Sequence, residues 1–150
     1  MIRMAKNNED IHIHMAEDDE DDRLMFKEAM EEARVSNKIT FSVDGQDLVE
    51  FLRREGKYEG LTDPLPDLIL LDLNMPRKDG REALQEIKSD PALRRIPIVI
   101  LTTSKAEEDI HSTYDVGANS FISKPVSFEG LVDAIKSMTN YWIDIVKLPE

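Results

Sequence analysis

The sequence predicts an α/β fold, a doubly wound parallel sheet of five strands with five helices on its two faces. Three observations predict it. Five short apolar runs alternate with five segments of helical periodicity. The run Leu68-Ile69-Leu70-Leu71 is apolar without alternation, as a strand covered on both faces of a parallel sheet is. Four of the runs end in polar, reactive residues: Glu17-Asp18, Asp72, Thr102-Thr103 and Lys124-Pro125. An open parallel sheet gathers the carboxyl ends of its strands on one edge, and such folds bind ligands there.

Each element has its own justification. Met1–Asp10 is polar and reads as a frayed leader. Ile11–Ala16 is the first strand, and Glu17–Asp22 is an acidic loop that starts a helix, where aspartates suit both capping and the helix dipole. Met25, Phe26, Ala29, Met30 and Ala33 form the inward stripe of that first helix. Leu24 falls outside the stripe and is expected to be exposed beside Lys27 and Glu28. Ile39–Val43 is the second strand, Asp44-Gly45 a turn, and Leu48, Val49, Phe51 and Leu52 mark the second helix. Gly56–Pro66 carries two Gly and two Pro and reads as an irregular connection to the third strand.

After that strand, Asn74-Met75-Pro76 and Asp79-Gly80 are turn chemistry, and the third helix uses Ala83, Leu84 and Ile87. Ile96–Leu101 is the fourth strand, with Pro97 near its start, where a missing N–H is tolerated. Ser104 with Glu107 is a capping box for a fourth helix that Gly117 ends. Phe121-Ile122 lies in a short fifth strand. Ser127 caps a fifth helix with the stripe Phe128, Leu131, Val132, Ile135, Met138, Trp142 and Ile145.

Composition narrows the function. A length of 150 residues suits one domain, and 41% hydrophobic with 33% charged residues is ordinary for a soluble protein. No apolar run approaches the roughly 20 residues that span a bilayer, and the polar start lacks the apolar core of a signal peptide. Cysteine is absent, which excludes disulfides and thiolate chemistry and fits a cytoplasmic location. The net charge of −12 argues against nucleic-acid binding, which needs clustered Lys and Arg. It fits simple solubility and also a carboxylate metal site.

The crevice at the carboxyl edge supplies such a site. Three carboxylates at Glu17, Asp18 and Asp72 repel one another unless a cation intervenes. Mg2+ suits them, because it takes oxygen ligands and keeps waters that a phosphate can replace, whereas Ca2+ wants more protein oxygens. The Lys124 ammonium and the Thr102 hydroxyl suit phosphoryl oxygens. Asp72 can then act as a nucleophile that forms an acyl phosphate. A Lys-Pro step also fits a cis peptide that would aim Lys124 inward. An acidic pair, a lone Thr or a Lys-Pro step is common by itself; the combination carries the weight.

Taken together, Ala-Glu-Asp-Asp (16–19), Leu-Leu-Asp-Leu-Asn-Met-Pro (70–76), Asp-Gly (79–80), Leu-Thr-Thr (101–103), Gly-Ala-Asn (117–119) and Ser-Lys-Pro (123–125) resemble the receiver domain of two-component response regulators. The resemblance covers 11–147, with 1–10 a flexible leader and 148–150 a tail. It implies a flavodoxin-like sheet of strand order 2-1-3-4-5. It also implies that Asp72 is the phosphoacceptor, that Asp18, Asp72 and the Asn74 backbone carbonyl ligate Mg2+, and that Glu17 acts through water. Lys124, Thr102 and Thr103 would bind the phosphoryl group, and Thr102 and Phe121 would switch the face made by the fourth helix, fifth strand and fifth helix. The phosphoryl donor would be a sensor histidine kinase or a histidine phosphotransfer domain, docking at Leu24, Lys27 and Pro125. The Gly56–Pro66 loop, Pro-Arg-Lys-Asp-Gly and the Tyr141-Trp142…Leu148-Pro149 segment are similar to those of the stand-alone regulators of bacterial phytochromes.

The resemblance implies a switch that catalyses only its own phosphorylation and dephosphorylation, with no DNA-binding output domain in the chain. An alternative is a phosphohydrolase of haloacid-dehalogenase type, but that group wants a second Asp where this chain has Asn74. A flavodoxin would need a Ser/Thr/Gly-rich phosphate loop where this chain has carboxylates. His14 departs from the aliphatic residue usual in receivers. With His12 on the same face of the first strand, it reads as a hydrogen-bonded pair under a helix, ahead of a metal pair or a pH-sensitive contact. His111 reads as a surface residue of the fourth helix. Tyr141, Trp142, Ile145 and Val146 add more apolar surface than one sheet edge needs. Trp142 either folds onto the core or anchors a homodimer through the switching face.

Overall fold

The computed structural model describes residues 12–34, 38–73, 75, 77–102, 117, 120–123 and 127–139. Among the described residues five strands form one sheet: β1 (His12–Ala16), β2 (Lys38–Ser42), β3 (Leu68–Leu71), β4 (Ile98–Thr102) and β5 (Ser120–Ser123). The order is β2-β1-β3-β4-β5, and every neighbouring pair is parallel, as expected. β3 is buried at all four positions, which is why its sequence shows no alternation.

Helices cover both faces. α1 (Glu20–Glu32) packs beside the C-terminal helix (Phe128–Thr139) over Ile13, Met15, Leu68, Leu70, Val99 and Leu101. α2 (Gly45–Arg53) packs beside α3 (Gly80–Ser89) over Ala16, Ile69, Leu71, Ile98 and Ile100. The split by residue parity is the two-residue period of a strand read in three dimensions. Ser127 caps the C-terminal helix as expected, its Oγ accepting from the Gly130 amide at 3.0 Å. Gly117 has φ +123, a conformation natural to glycine. The rest of the expected fourth helix, His111 and the aromatic end of the fifth lie outside the described residues. So do the Lys124-Pro125 step, Trp142 and Ile145. Among the described residues no helix is long and apolar enough to cross a membrane.

Three expectations need correction. Asp44-Gly45 and Asp79-Gly80 are helix starts rather than turns: each Asp is an N-cap and each Gly is the first helical residue. Asp–amide capping and Asp-Gly turns use the same side-chain chemistry, so the sequence signal is shared. The fourth strand starts at Ile98 and not at Ile96. Phe128, assigned to the inward stripe, opens the C-terminal helix and is 39% exposed; the face that meets the core begins at Leu131.

The histidine pair is hydrogen-bonded. His14 is fully buried, with Nδ1 2.6 Å from Thr40 Oγ1 and Nε2 2.6 Å from Ser42 Oγ. Its ring stacks on Phe51 of α2 at 4.2 Å between centroids. His12 Nε2 reaches the same Thr40 hydroxyl at 2.7 Å. Burial, reinforced by His12, pushes the His14 imidazole down to about 3.

Candidate functional site

Strand register builds the site. Ala16 and Leu71 are partners in the β1–β3 pair, so the residues that follow them, Glu17 and Asp72, emerge side by side. The ladder runs one step past both strands: the Asp72 amide donates to the Ala16 carbonyl at 3.2 Å and the Glu17 amide to the Ser42 carbonyl at 3.0 Å. One carboxylate oxygen each from Glu17, Asp18 and Asp72 then lie within 4.8 Å of one another. Glu17 and Asp72 are 1% and 7% exposed, while Asp18 faces solvent. Arg23 of α1 donates to the Glu17 carbonyl at 2.7 Å and holds the turn between β1 and α1. Asp19, the third acid of the run that starts at Glu17, is committed to α1 as its N-cap.

The donor set is chemically coherent. Three hard carboxylate oxygens in a half-buried crevice fit a hard divalent cation of the Mg2+ type, which takes few protein ligands and keeps water.

The other sequence-predicted residues divide by element. Thr102 ends β4 at the same sheet edge and pairs in register with Ser123; Phe121 in β5 pairs with Ile100. Asn74, Thr103, Lys124 and Pro125 lie outside the described residues. Leu24 is 55% exposed on α1, and Lys27 and Glu28 beside it are exposed too.

Sequence reasoning missed the attachment of the segment after Asp72. Arg77 binds Asp44, the N-cap of α2, through Nε at 2.7 Å and Nη2 at 3.1 Å. Burial pushes the Asp44 carboxyl up, but the Arg77 fork and the Asp47 amide outweigh it and hold it below the ordinary range. Nothing in a linear reading of Pro-Arg-Lys-Asp-Gly points at Asp44, 33 residues earlier.

The profile of the response regulator receiver domain matches residues 13–136. Response regulator Rcp1 of Synechocystis sp. is 37% identical over 137 residues, covering 91% of this chain and 92% of Rcp1. The crystal structure of the phosphorylated cyanobacterial phytochrome response regulator RcpA superposes with a TM-score of 0.86 at 40% identity, covering 94% of this chain and 99% of RcpA. The Mn2+-bound form of Rcp1 superposes with a TM-score of 0.84 at 36% identity, covering 93% and 99%. The expected likeness to phytochrome regulators is thus found, and the phosphohydrolase alternative draws no support from these matches. Motifs, sheet order and relatives agree: the chain belongs to the response regulator receiver family of two-component signalling.

Proposed function

We propose that this receiver accepts a phosphoryl group on Asp72, in a Mg2+-dependent reaction, from a sensor histidine kinase or histidine phosphotransfer domain of a phytochrome-like pathway. The observation that carries the proposal is the convergence of Glu17, Asp18 and Asp72 within 4.8 Å at the carboxyl edge of the sheet. RcpA in its phosphorylated form and Rcp1 with Mn2+ lend the same chemistry to close structural relatives.

Asp18, Asp72 and the Asn74 backbone carbonyl would hold Mg2+, with Glu17 acting through water. Bound there, the cation offsets negative charge on the phosphoryl oxygens. The Asp72 carboxylate attacks phosphorus, a P–O bond forms, and the P–N bond to the donor imidazole breaks. Lys124 neutralises charge on the transferred group, and Thr102 and Thr103 offer it hydrogen bonds. Movement of Thr102 toward the acyl phosphate, followed by Phe121, shifts the population of the face formed by the expected fourth helix, β5 and the C-terminal helix. The only reactions catalysed are gain and loss of this phosphoryl group.

The exposed Leu24 with Lys27 on α1, together with Pro125, forms the donor docking surface. A homodimer through the switching face completes the proposal, in the cytoplasm and without nucleic acid or membrane. Sedimentation across micromolar concentrations, with and without beryllofluoride, tests the dimer: a monomer throughout refutes it. Incubation with Mg2+ and acetyl phosphate, followed by mass mapping, tests the chemistry. A single modification at Asp72 is expected, and a stable modification at any other residue overturns the assignment.

A further inference from the structure

Arg77 has no part in the chemistry above, yet its placement is costly and specific. It lies in the segment that carries the chain from Asp72 to Gly80, three residues after position 74. Its φ is +62, the left-handed region that crowds a Cβ. Its guanidinium forks onto both oxygens of Asp44, at 2.7 and 3.1 Å. Two parallel charge-assisted bonds fix orientation as well as distance.

The receiving side is rigid. Asp44 is 5% exposed, and its Oδ1 also accepts the Asp47 amide at 2.7 Å as the cap of α2. The neighbouring residue, Lys78, is fastened twice: its carbonyl accepts from the Gly45 amide at 2.9 Å, and its Nζ meets Glu86 of α3 at 2.6 Å. A Cβ at Gly45 would stand 2.2 Å from the Lys78 carbonyl oxygen, and one at Gly80 would stand 2.3 Å from the Asp72 carbonyl oxygen. Contacts without slack therefore run from the start of α2, through Arg77 to Gly80, to the backbone of Asp72 itself. An exposed ion pair is ordinarily worth little. Here a bidentate pair on a buried carboxylate holds a sterically disfavoured residue in the stretch that follows Asp72.

We propose that Arg77 is a positioning residue for phosphoryl uptake: its fork on Asp44, together with the close approach of Gly80 to the Asp72 carbonyl, holds Asp72 in place beside Glu17 and Asp18 before Mg2+ arrives. The inference rests on the reading that Glu17, Asp18 and Asp72 bind Mg2+. Without the fork, the competent arrangement becomes a fraction of the population, and the apparent Kd rises by the inverse of that fraction.

The test is calorimetric titration of the full chain with Mg2+. Arg77→Asn is the first variant, because Asn tolerates left-handed φ and lacks the fork. Arg77→Lys is the second, because it keeps the charge and loses the planar pair of donors. Both should raise the Mg2+ Kd about tenfold, the low end for residues that orient metal ligands. Labelling by acetyl phosphate should slow at low Mg2+ and recover at saturation. A purely structural arginine would lower the metal-free Tm and leave the Kd unchanged. Wild-type affinity in Arg77→Asn overturns the positioning role; wild-type affinity in Arg77→Lys alone assigns the effect to charge and overturns the fork. Asp18→Asn separates the two layers of argument. If wild-type Mg2+ binding survives Asp18→Asn unchanged, the metal reading fails first and this inference falls with it.

Discussion

Acid should destabilise this receiver earlier than carboxylate chemistry alone predicts, and His14 is the reason. The folded chain holds the imidazole neutral down to about pH 3, whereas the unfolded chain protonates it below 6.5. The unfolded state therefore binds the extra proton throughout that interval, so stability falls as pH falls. The contribution is complete above pH 6.5 and is lost progressively toward pH 3, at about 1.4 kcal/mol per unit. At pH 5 the loss is about 2 kcal/mol, or about 5 °C in Tm for a domain of this size. The groups around the ring do not rescue the charge. His12 and Arg54 oppose it, Asp47 favours it, and burial outweighs all three. Thr40 and Ser42 supply neutral hydroxyl partners. Asp44 and Asp47 sit below the ordinary carboxylate range, so their contributions fade only in stronger acid. The assay is urea unfolding at pH 5 and 7.5 for the wild type, His14→Leu and His14→Gln. Loss of the His14 contacts to Thr40 and Ser42 costs each variant stability equally at both pH values, so the comparison cancels it. The wild type should lose about 2 kcal/mol more than either variant between the two conditions. Equal losses in wild type and variants would refute a buried neutral His14.

Three further outcomes are expected. Mg2+ at a hundred times its Kd should stabilise the wild type by about 2.7 kcal/mol, and Asp18→Asn should remove most of that response in thermal melts. Leu24→Asp should slow phosphoryl transfer from the kinase and leave acetyl phosphate labelling unchanged; equal slowing would move the defect into the site. Gly80→Ala forces a Cβ to within 2.3 Å of the Asp72 carbonyl oxygen, so it should destabilise by about 1–3 kcal/mol in denaturant unfolding. Unaltered stability would show that the Gly80 approach is looser than the structure has it.

Much of this was readable in the sequence because the residues involved obey local rules. The unbroken apolar Leu68–Leu71 run and the period of Phe26, Ala29 and Met30 report burial directly, and the structure buries them all. Glu17, Asp18 and Asp72 were legible as a cluster because parallel strands must end on one edge. What sequence could not give was anything set by distant contact. Asp44-Gly45 reads as a turn until Lys78 is seen packed on Gly45. Phe128 has the right period, but periodicity does not say where a helix first meets the sheet. Arg77 on Asp44 has no local signal at all.

The position of the acidic cluster is in the end a consequence of apolar burial. Glu17 and Asp72 contribute nothing favourable by standing together; crowded carboxylates repel. They stand together because Ile13 and Met15 of β1 and Leu68 to Leu71 of β3 bury both faces of the central strands in one register. A slip of β1 against β3 by one residue would carry the triad apart by about 3.3 Å and exchange the two faces of β1, taking Ile13 and Met15 from the α1 side to the α2 side. Burial of Ile13, Leu68, Ile69 and Leu71, with about 1.5–3 kcal/mol of transfer free energy per side chain, holds the paired strands in the core. The core thus gathers three mutually repelling carboxylates at one edge, and a cation that binds there relieves that repulsion. That is why the Mg2+ dependence of stability, and its loss in Asp18→Asn, is the most direct reading of how this sheet performs its function.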